Sequence, residues 1–293
     1  MADYIKICLM NIKLIDLIWS NPKLTKLTEY SYGVEETGEW KTIFTKMYKN
    51  MMFKKFENRL EISGSLHYLK NDGVHNCDDF TPLDCINTII SFCNLFGITP
   101  ELCKITALEF GLNIELPMNI KDFLSHLRFL GRKQFRRDKV YDDAYFVGTS
   151  YFGLKIYNKS IQFPKFTPPN LLRIEWTTKE SKFLNSNKIF TLDDLLNPET
   201  YIKCSEIILK KWNDLIIFDS LKSGKEYFYT EFWLNILDNS CRETFSRKKK
   251  RYYQLLGRNS IHSKTFRQIL KKVQDFNHVT FSTVLSNLNY VQL

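Results

Sequence analysis

Four segments of the chain alternate apolar and polar residues with a period of two, at residues 60–68, 105–116, 154–159 and 171–177. This is the period of a β-strand with one buried face, because successive side chains point to opposite sides of a strand. If the four strands share one sheet, its polar face collects carboxylates, a histidine, a tyrosine and several cations. The polar positions are Glu61, Ser63, Ser65, His67, Glu109, Asn113, Glu115, Lys155, Tyr157, Lys159, Arg173 and Glu175.

Two interpretations of this polar face stay open. A half-exposed antiparallel sheet always carries polar residues on its wet face, so the pattern alone is compatible with a sheet that has no chemical role. The same residue types are also those that hold a divalent cation, attack a phosphate and neutralise its charge. The second interpretation is favoured by Glu109 and Glu115, which flank an asparagine on an otherwise strongly apolar strand.

Helical signals separate and follow the strands. Thr81 and Pro82 have the residue types of an N-cap and a first helical position, and Gly97 is placed to end the helix that they open. Further helices are predicted over residues 119–129, 199–218, 226–237 and 242–256. The buried stripe of the first helix is predicted at Ile86, Ile89, Ile90, Cys93 and Leu95.

These signals predict an α+β fold. An antiparallel sheet, with helices on one face and an open polar active face, is followed by a mainly helical C-terminal region. Strand signals become few from about residue 186. We therefore expect a sheet domain at residues 1–185 and a helical, basic region at residues 186–293.

Composition fits a folded protein of a reducing compartment. The chain has 293 residues, 44% of them hydrophobic, and its 23 Phe and 15 Tyr argue against disorder. No two of the seven cysteines form a C-x-x-C pair, so neither a disulfide framework nor a cysteine zinc site is favoured. The N-terminus does not read as a signal peptide and no apolar run has the length of a membrane span, so we expect a cytoplasmic protein without a membrane partner.

The charge of the chain points to a polyanion as partner. The formal net charge is +10 at pH 7, with a pI near 9.1. The cations concentrate in two segments with aromatic neighbours, a composition that suits a phosphate backbone but is shared by ordinary solvated faces. The predicted nucleic-acid-binding cations of these segments are Arg132, Lys133, Arg136, Arg137, Lys248, Lys249, Lys250 and Arg251.

Three motifs follow one another along the chain: a strand carboxylate (LEFGLNIE), a glycine-led strand with Tyr-x-Lys (VGTSYFGLKIYNKS), and a strand with Arg-x-Glu (LLRIEW). In this order they resemble the rolling-circle replication initiators of small plasmids and filamentous phages. The upstream segment GSLHYLKNDGVHN is similar to that of phage-type replication proteins of this group, especially those of the Bacteroidetes. The resemblance covers roughly residues 48–218, and several short motifs agree in both sequence and order.

The resemblance implies a replication initiator that binds an origin and nicks one DNA strand through a tyrosine. Such proteins form a 5′-phosphotyrosine link and leave a free 3′-hydroxyl. Tyr157 matches the tyrosine of Tyr-x-Lys, Glu109 matches the strand carboxylate, and Arg173 and Glu175 match Arg-x-Glu. The sheet domain then becomes the origin-nicking domain, and Arg173 joins the residues expected to bind DNA.

A tyrosine hydroxyl with a pKa near its ordinary value of about 10 is a poor nucleophile. Lys155 and Lys159 alternate onto the face of Tyr157, and their charge is expected to favour the phenolate. Either lysine is also a candidate to protonate the leaving 3′-oxygen. Tyr145 and Tyr151 are the alternative nucleophiles in the same hairpin.

The resemblance also implies a bound Mg²⁺ or Mn²⁺ on the sheet. The best-known relatives place two histidines around one hydrophobic residue, and no His-x-His occurs in this chain. The predicted ligands are therefore Glu109 and Glu175 with His67, His75 or both. Packing of His67 against the sheet and ordering of the loop by His75 are the alternative roles.

Two other functions remain open. A non-catalytic DNA-binding replication or regulatory protein would use the sheet as a platform and form no covalent adduct. A metal-dependent nuclease that uses water would need the carboxylates but not Tyr157.

The partners implied are an origin in single-stranded or supercoiled DNA together with host helicase and polymerase, and both a monomer and a homodimer stay open.

Overall fold

The computed structural model describes residues 1–33, 38–138, 143–219 and 226–290, with side chains as far as residue 276. The strands are β1 (Ala2–Leu9), β2 (Thr25–Gly33), β3 (Trp40–Tyr48), β4 (Met51–Lys55), β5 (Leu60–Ser65), β6 (Lys104–Glu115), β7 (Leu127–Leu130), β8 (Lys133–Gln134), β9 (Arg136–Arg137), β10 (Ala144–Gly148), β11 (Phe152–Asn158), β12 (Leu171–Thr178) and β13 (Leu215–Ile217). The helices are α1 (Ile12–Trp19), α2 (Leu66–Lys70), α3 (Pro82–Phe96), α4 (Ile120–Ser125), α5 (Lys159–Gln162), α6 (Ser181–Ser186), α7 (Pro198–Asn213), α8 (Thr230–Asn239), α9 (Arg242–Leu256) and α10 (Ile261–Tyr290).

A ten-stranded sheet organises the fold. Its strand order is β2-β3-β4-β5-β1-β6-β12-β11-β10-β9, and its neighbouring strands pair antiparallel. A second sheet has the order β13-β7-β8. The sheet and the helical C-terminal segment confirm the predicted α+β class. No helix in the described ranges is long and apolar enough to cross a bilayer.

The apolar face of the sheet is covered by helices. Leu172, Ile174 and Trp176 of β12 alternate onto this face and are almost fully buried. The indole Nε1 of Trp176 donates to the carbonyl oxygen of Cys204 on α7 at 3.1 Å, which ties that helix to the sheet. Ile269 of α10 belongs to the same core.

Helix α3 begins and ends where the sequence predicts. Thr81 and Asp84 form a reciprocal capping box, and Gly97 ends the helix in the left-handed region with φ of 66°. The predicted buried stripe is partly wrong, because Ile90 is 43% exposed. Phe92 and Phe96 are buried instead, and both rings contact the ring of Phe53 on β4.

Two predicted helices are shorter than expected, because the ends of their apolar runs form strands. Helix α4 ends at Ser125 and α7 ends at Asn213, and the strands β7 and β13 follow. These strands pair with each other, with Phe129 opposite Ile216. This pairing joins segments on both sides of residue 185, so the predicted domain boundary does not separate two cores.

The first of the alternating segments also ends earlier than predicted. Strand β5 stops at Ser65, whose Oγ accepts a hydrogen bond from the backbone N–H of Tyr68 and caps α2. His67 therefore lies on a helix and not on the polar face of a strand. It is 1% exposed, and its ring stacks on that of Phe80 with centroids 4.6 Å apart.

The polar face of the sheet is covered at its centre, where an open surface was predicted. Asn113 of β6 donates from Nδ2 to the carbonyl oxygens of Cys77 and Asp78, at 3.0 and 3.2 Å. These contacts hold the segment at residues 71–80 over the sheet. Arg173 and Glu175 beneath it are 1% and 3% exposed, respectively.

Candidate active site

A buried arginine connects the central strands on the polar face. The Nε of Arg173 donates to Oε2 of Glu175 at 3.1 Å, one terminal nitrogen to Oδ1 of Asn113 at 3.1 Å, and the other to Oδ2 of Asp3 at 2.9 Å. All three nitrogens are thus committed to protein oxygens. The prediction that Arg173 binds DNA is wrong in this arrangement, because its guanidinium is buried and already neutralised.

Asp3 was not among the predicted site residues. Regular alternation along β1 with Ile5 and Ile7 would place it on the apolar face. Ala2 pairs with Phe110 and Ile5 with Leu108, so β1 carries one residue more than β6 at this point. This bulge turns Asp3 to the polar face, where it meets Arg173. A bulge leaves no signal in the hydrophobic pattern.

The Tyr157 hydroxyl donates a hydrogen bond to a carboxylate on the polar face of the sheet. Tyr157 lies on β11, is partly buried, and its hydroxyl donates to Oε2 of Glu175 at 3.3 Å. The two alternative tyrosines lie elsewhere. Tyr145 pairs with Ile156 and packs against the hydrophobic core, and Tyr151 is 39% exposed in the turn between β10 and β11.

The electrostatics at Tyr157 differ from the prediction. Burial, followed by the negative charge of Glu175, raises the pKa of Tyr157 well above its ordinary value of 10.0. The expectation that Lys155 and Lys159 favour the phenolate is therefore wrong for this arrangement. The neutral phenol is the stable form, so attack by its oxygen needs a group that takes the proton, and Glu175 already accepts that hydrogen bond.

Lys155 lies between two carboxylates. Its Nζ is 3.1 Å from Oε1 of Glu109 and 3.4 Å from Oε1 of Glu175. Burial acts to lower the pKa of Lys155, but the charges of Glu175 and Glu109 outweigh it and raise that pKa above its ordinary value. Burial and the charge of Glu175 raise the pKa of Glu109. The Lys155 side chain is 39% exposed, so part of it is open to solvent.

Lys159 is completely buried, although it follows the end of β11 and begins α5. Its Nζ donates to Oδ1 of Asn76 at 2.7 Å and to Oε1 of Gln162 at 2.8 Å, and it lies 5.7 Å from the ring centroid of Tyr157. Asn76 in turn donates to Asp3, at 3.0 Å. Burial, with a further contribution from the charge of Arg173, lowers the pKa of Lys159 to about 8.

The two predicted histidines both contact the carboxylate of Asp78. The Nε2 of His67 is 2.6 Å from Oδ1 of Asp78, and the Nδ1 of His75 is 3.5 Å from the same oxygen. Burial lowers the pKa of His67 to about 4, so the ring is neutral at pH 7. The ring of His75 contacts that of Phe166, which suits the alternative role of this histidine in ordering the loop.

The four predicted metal ligands do not form one site. Glu109 and Glu175 are on either side of the Lys155 ammonium group, whereas His67 and His75 share Asp78. Across the described ranges, no three His, Cys, Asp or Glu side chains are arranged to hold a metal ion. The residues as arranged do not fit the predicted Mg²⁺ or Mn²⁺ centre.

The absence of a side chain at Gly111 makes room for Arg173 and Glu175. Gly111 pairs with Glu175 across β6 and β12. A Cβ at this position would lie 2.6 Å from Cβ of Glu175, 2.9 Å from Nε of Arg173 and 2.9 Å from the carbonyl oxygen of Ile174. Two of these atoms belong to backbone or to the first side-chain carbon, so they have little freedom to move away.

We expect Gly111→Ala to lower the free energy of unfolding by about 1–3 kcal/mol, because the added carbon overpacks a buried strand pair. It also shifts Glu175 away from Tyr157. Urea unfolding measures the change in stability. Gly33→Ala is the matched control, since nothing lies within 4 Å of a Cβ built there. Equal stability of the two variants would contradict this account of Gly111.

The predicted DNA-binding cations differ in how far they are free to bind a ligand. Lys249 is paired with Oδ1 of Asp214 at 2.7 Å, and Nζ of Lys248 lies over the rings of Tyr227 and Phe232. The remaining cations of the two segments are partly or fully exposed. Of the aromatic residues beside these cations, Phe135 is 7% exposed, Tyr252 is fully buried and Tyr253 is partly buried.

Comparison with known proteins gives a loose structural likeness. No family model and no curated protein matches the chain. A solved structure described as that of a rolling circle replication initiator protein from Geobacillus stearothermophilus is similar over 82% of this chain and 95% of its own, with 12% identity and a TM-score of 0.42. That protein is named for the class that the motif order resembles. Similarity at this level carries no argument about the present chain.

Proposed function

We propose that the protein is a replication initiator that cleaves one DNA strand by transesterification, with Tyr157 as the nucleophile. The observation that carries the proposal is the hydrogen bond from the Tyr157 hydroxyl to Glu175, beside the partly exposed side chain of Lys155. A hydroxyl, a carboxylate and an ammonium group thus share one face, which supports the proposal. The motif order of the sequence supports the same chemistry.

Each residue has a separate part in the proposed step. The Tyr157 oxygen forms a bond to phosphorus while the bond from phosphorus to the 3′-oxygen breaks, which leaves a 5′-phosphotyrosine link. Glu175 takes the hydroxyl proton, and Lys155 neutralises charge on the phosphate oxygens. The partly exposed Lys155 also protonates the leaving 3′-oxygen, whereas Lys159 is fully buried and does not reach the DNA.

The test is a search for a covalent adduct. The purified protein is incubated with labelled single-stranded and supercoiled DNA, with Mn²⁺ or with a chelator, and then run on a denaturing gel. The proposal predicts a labelled protein band that resists denaturation. Cleavage without that band would show that water is the nucleophile and would overturn the proposal.

A requirement for Mg²⁺ or Mn²⁺ stays a prediction of the resemblance. Since the described residues offer no assembled set of ligands, the proposed steps use only groups of the chain. The arm of the gel experiment with chelator tests the metal requirement directly. Adduct formation that is equal with Mn²⁺ and with chelator would contradict it.

A non-catalytic DNA-binding protein is the second candidate. The observation in its favour is the stable neutral phenol of Tyr157 under a covered face. An ion-paired sheet of this kind also serves as a rigid platform for binding. Tight DNA binding with neither cleavage nor adduct would favour this candidate over the nickase.

A further inference from the structure

Asp3 is a buried carboxylate that has no part in the proposed step. It is 4% exposed, and its Oδ2 accepts hydrogen bonds from Nη2 of Arg173 at 2.9 Å and from Nδ2 of Asn76 at 3.0 Å. Its Oδ1 accepts a third hydrogen bond, from the hydroxyl of Ser65. The carboxylate is thus fixed by groups from β12, from the segment at residues 71–80 and from the end of β5.

Asp3 also determines how Arg173 contacts Glu175. An arginine and a carboxylate often form two parallel hydrogen bonds, in which two nitrogens of the guanidinium group, such as Nε and Nη2, each bind one oxygen. Here Nε of Arg173 donates to Oε2 of Glu175 at 3.1 Å, whereas Nη2 donates to Asp3. The nitrogen that would complete a two-bond pair with Glu175 is therefore directed to the other carboxylate.

This arrangement leaves both oxygens of Glu175 in contact with the candidate active site. Oε2 accepts the hydrogen bond from the Tyr157 hydroxyl at 3.3 Å, and Oε1 lies 3.4 Å from Nζ of Lys155. In a two-bond pair Arg173 would bind Oε1 as well, and the carboxylate plane would turn toward the guanidinium group. Glu175 would then lose its alignment with the hydroxyl and the ammonium group.

We propose that Asp3 is a positioning residue for the transesterification, because it holds Arg173 in a single-bonded pair with Glu175. The carboxylate of Glu175 thereby stays aligned to take the proton of the Tyr157 hydroxyl. The inference rests on the proposed function, since it concerns the proton acceptor of that step.

The buried Lys159 supports the same carboxylate through one intermediate residue. Its Nζ donates to Oδ1 of Asn76 at 2.7 Å, and Nδ2 of Asn76 donates to Asp3. The amide of Asn76 is thus fixed at both ends, which holds its Nδ2 against Asp3. This assigns the buried ammonium group a part that needs no contact with DNA.

The first test compares the rate of adduct formation at saturating single-stranded DNA in the full chain and in two variants of Asp3. We expect Asp3→Ala to reduce this rate by about 10²-fold, because a shift of a catalytic group by about 1 Å has an effect of that size. Asp3→Asn should keep most of the rate, since its amide oxygen accepts from Arg173 and Asn76 and its amide nitrogen can donate to the Ser65 hydroxyl. The affinity for DNA should stay unchanged in both variants.

The matched control is Glu61→Ala on β5, the strand beside β1. The Glu61 side chain is 16% exposed and is paired with Lys6 and Arg59, so the variant removes an ion-paired carboxylate without touching Arg173. Its rate should equal that of the wild type. Asp3→Ser, whose hydroxyl is too short to reach Nη2, has the same expected loss as Asp3→Ala and replaces it if that variant does not fold.

Two kinetic results would overturn the positioning role. A wild-type rate in Asp3→Ala would show that Glu175 needs no help from Asp3. An equal loss of rate in Asp3→Asn and Asp3→Ala would show that the charge of Asp3 matters and its hydrogen bonds do not.

Crystal structures of the variants separate this inference from the proposed function, because they need no activity. In Asp3→Ala we expect Nη2 of Arg173 to join Nε on Glu175 and the hydrogen bond from Tyr157 to be lost, whereas Asp3→Asn keeps the wild-type contacts. These structures without any adduct from the wild type would support the positioning of Glu175 and overturn the nickase. An adduct from the wild type, with an unchanged pair of Arg173 and Glu175 in Asp3→Ala, would overturn the positioning role and leave the nickase intact.

Discussion

Tyr157→Phe is expected to reduce formation of the covalent protein–DNA adduct by at least about 10³-fold, because the phenyl ring has no oxygen to form the bond to phosphorus. The variant also loses the hydrogen bond to Glu175, which contributes about 1 kcal/mol to the free energy of unfolding. DNA affinity should stay at the wild-type value. A denaturing gel and a binding titration of the same preparation measure both quantities.

The hairpin offers two matched controls for this prediction. Tyr145 lies on the core side of β10 and Tyr151 in the exposed turn, so neither shares the carboxylate acceptor. Tyr145→Phe and Tyr151→Phe should both retain the adduct. If the adduct persists in Tyr157→Phe and is absent from one of these controls, the tyrosine replaced in that control is the nucleophile.

Arg173→Leu is expected to lower the free energy of unfolding by about 3–5 kcal/mol at pH 7, because it removes the cation that two buried carboxylates share. Asp3 and Glu175 both lose a charge-assisted hydrogen bond. Arg59→Leu is the control, since its pair with Glu61 is half-exposed and contributes less than about 1 kcal/mol. Chemical denaturation of both variants measures the difference.

The cost of Arg173→Leu should depend on pH with a definite sign. Burial acts to raise the pKa of Asp3, but the charge of Arg173 and the Ser65 hydroxyl outweigh it and hold that pKa below 3.8. In the wild type this stability is present above that value and is lost as the pH falls through the pKa of the folded state. Without Arg173 the carboxyl protonates more readily, so the difference between variant and wild type shrinks toward pH 3. A constant difference from pH 7 to pH 3 would contradict the role of Asp3.

The alternation of β11 and β12 could be predicted from sequence because both strands lie at the centre of a sheet whose one face is covered by helices. Every second residue must then be apolar, and the residues between them share the other face. Lys155, Tyr157, Arg173 and Glu175 came together in this way. The alternation does not give the register between the strands. The structure supplies it, and places Lys155 directly opposite Glu175.

Local backbone events account for the residues that were misplaced or missed. Ser65 caps helix α2, so His67 lies on that helix and not in the sheet. In the sequence, His67 alternates with Leu66 and Tyr68 as it would in a strand. The bulge in β1 turns Asp3 to the opposite face. Both events depend on a single residue, so they do not alter the periodicity of the segment.

Contacts between distant segments account for the rest. Arg132 and Phe245 are brought together only by the fold, and so are Lys249 and Asp214. Sequence showed two charged segments with aromatic neighbours, which is equally typical of a solvated face and of a binding surface. The structure adds that Phe135 is buried, so its ring is not open to a stacking base.

Mapping the protein–DNA bond by mass spectrometry tests the central claim most directly. The adduct formed with a single-stranded oligonucleotide is digested with protease and nuclease, and the modified peptide is sequenced. The account predicts a nucleotide attached through a 5′-phosphate to the side-chain oxygen of Tyr157. A nucleotide on any other residue, or cleaved DNA with no modified peptide, would contradict it.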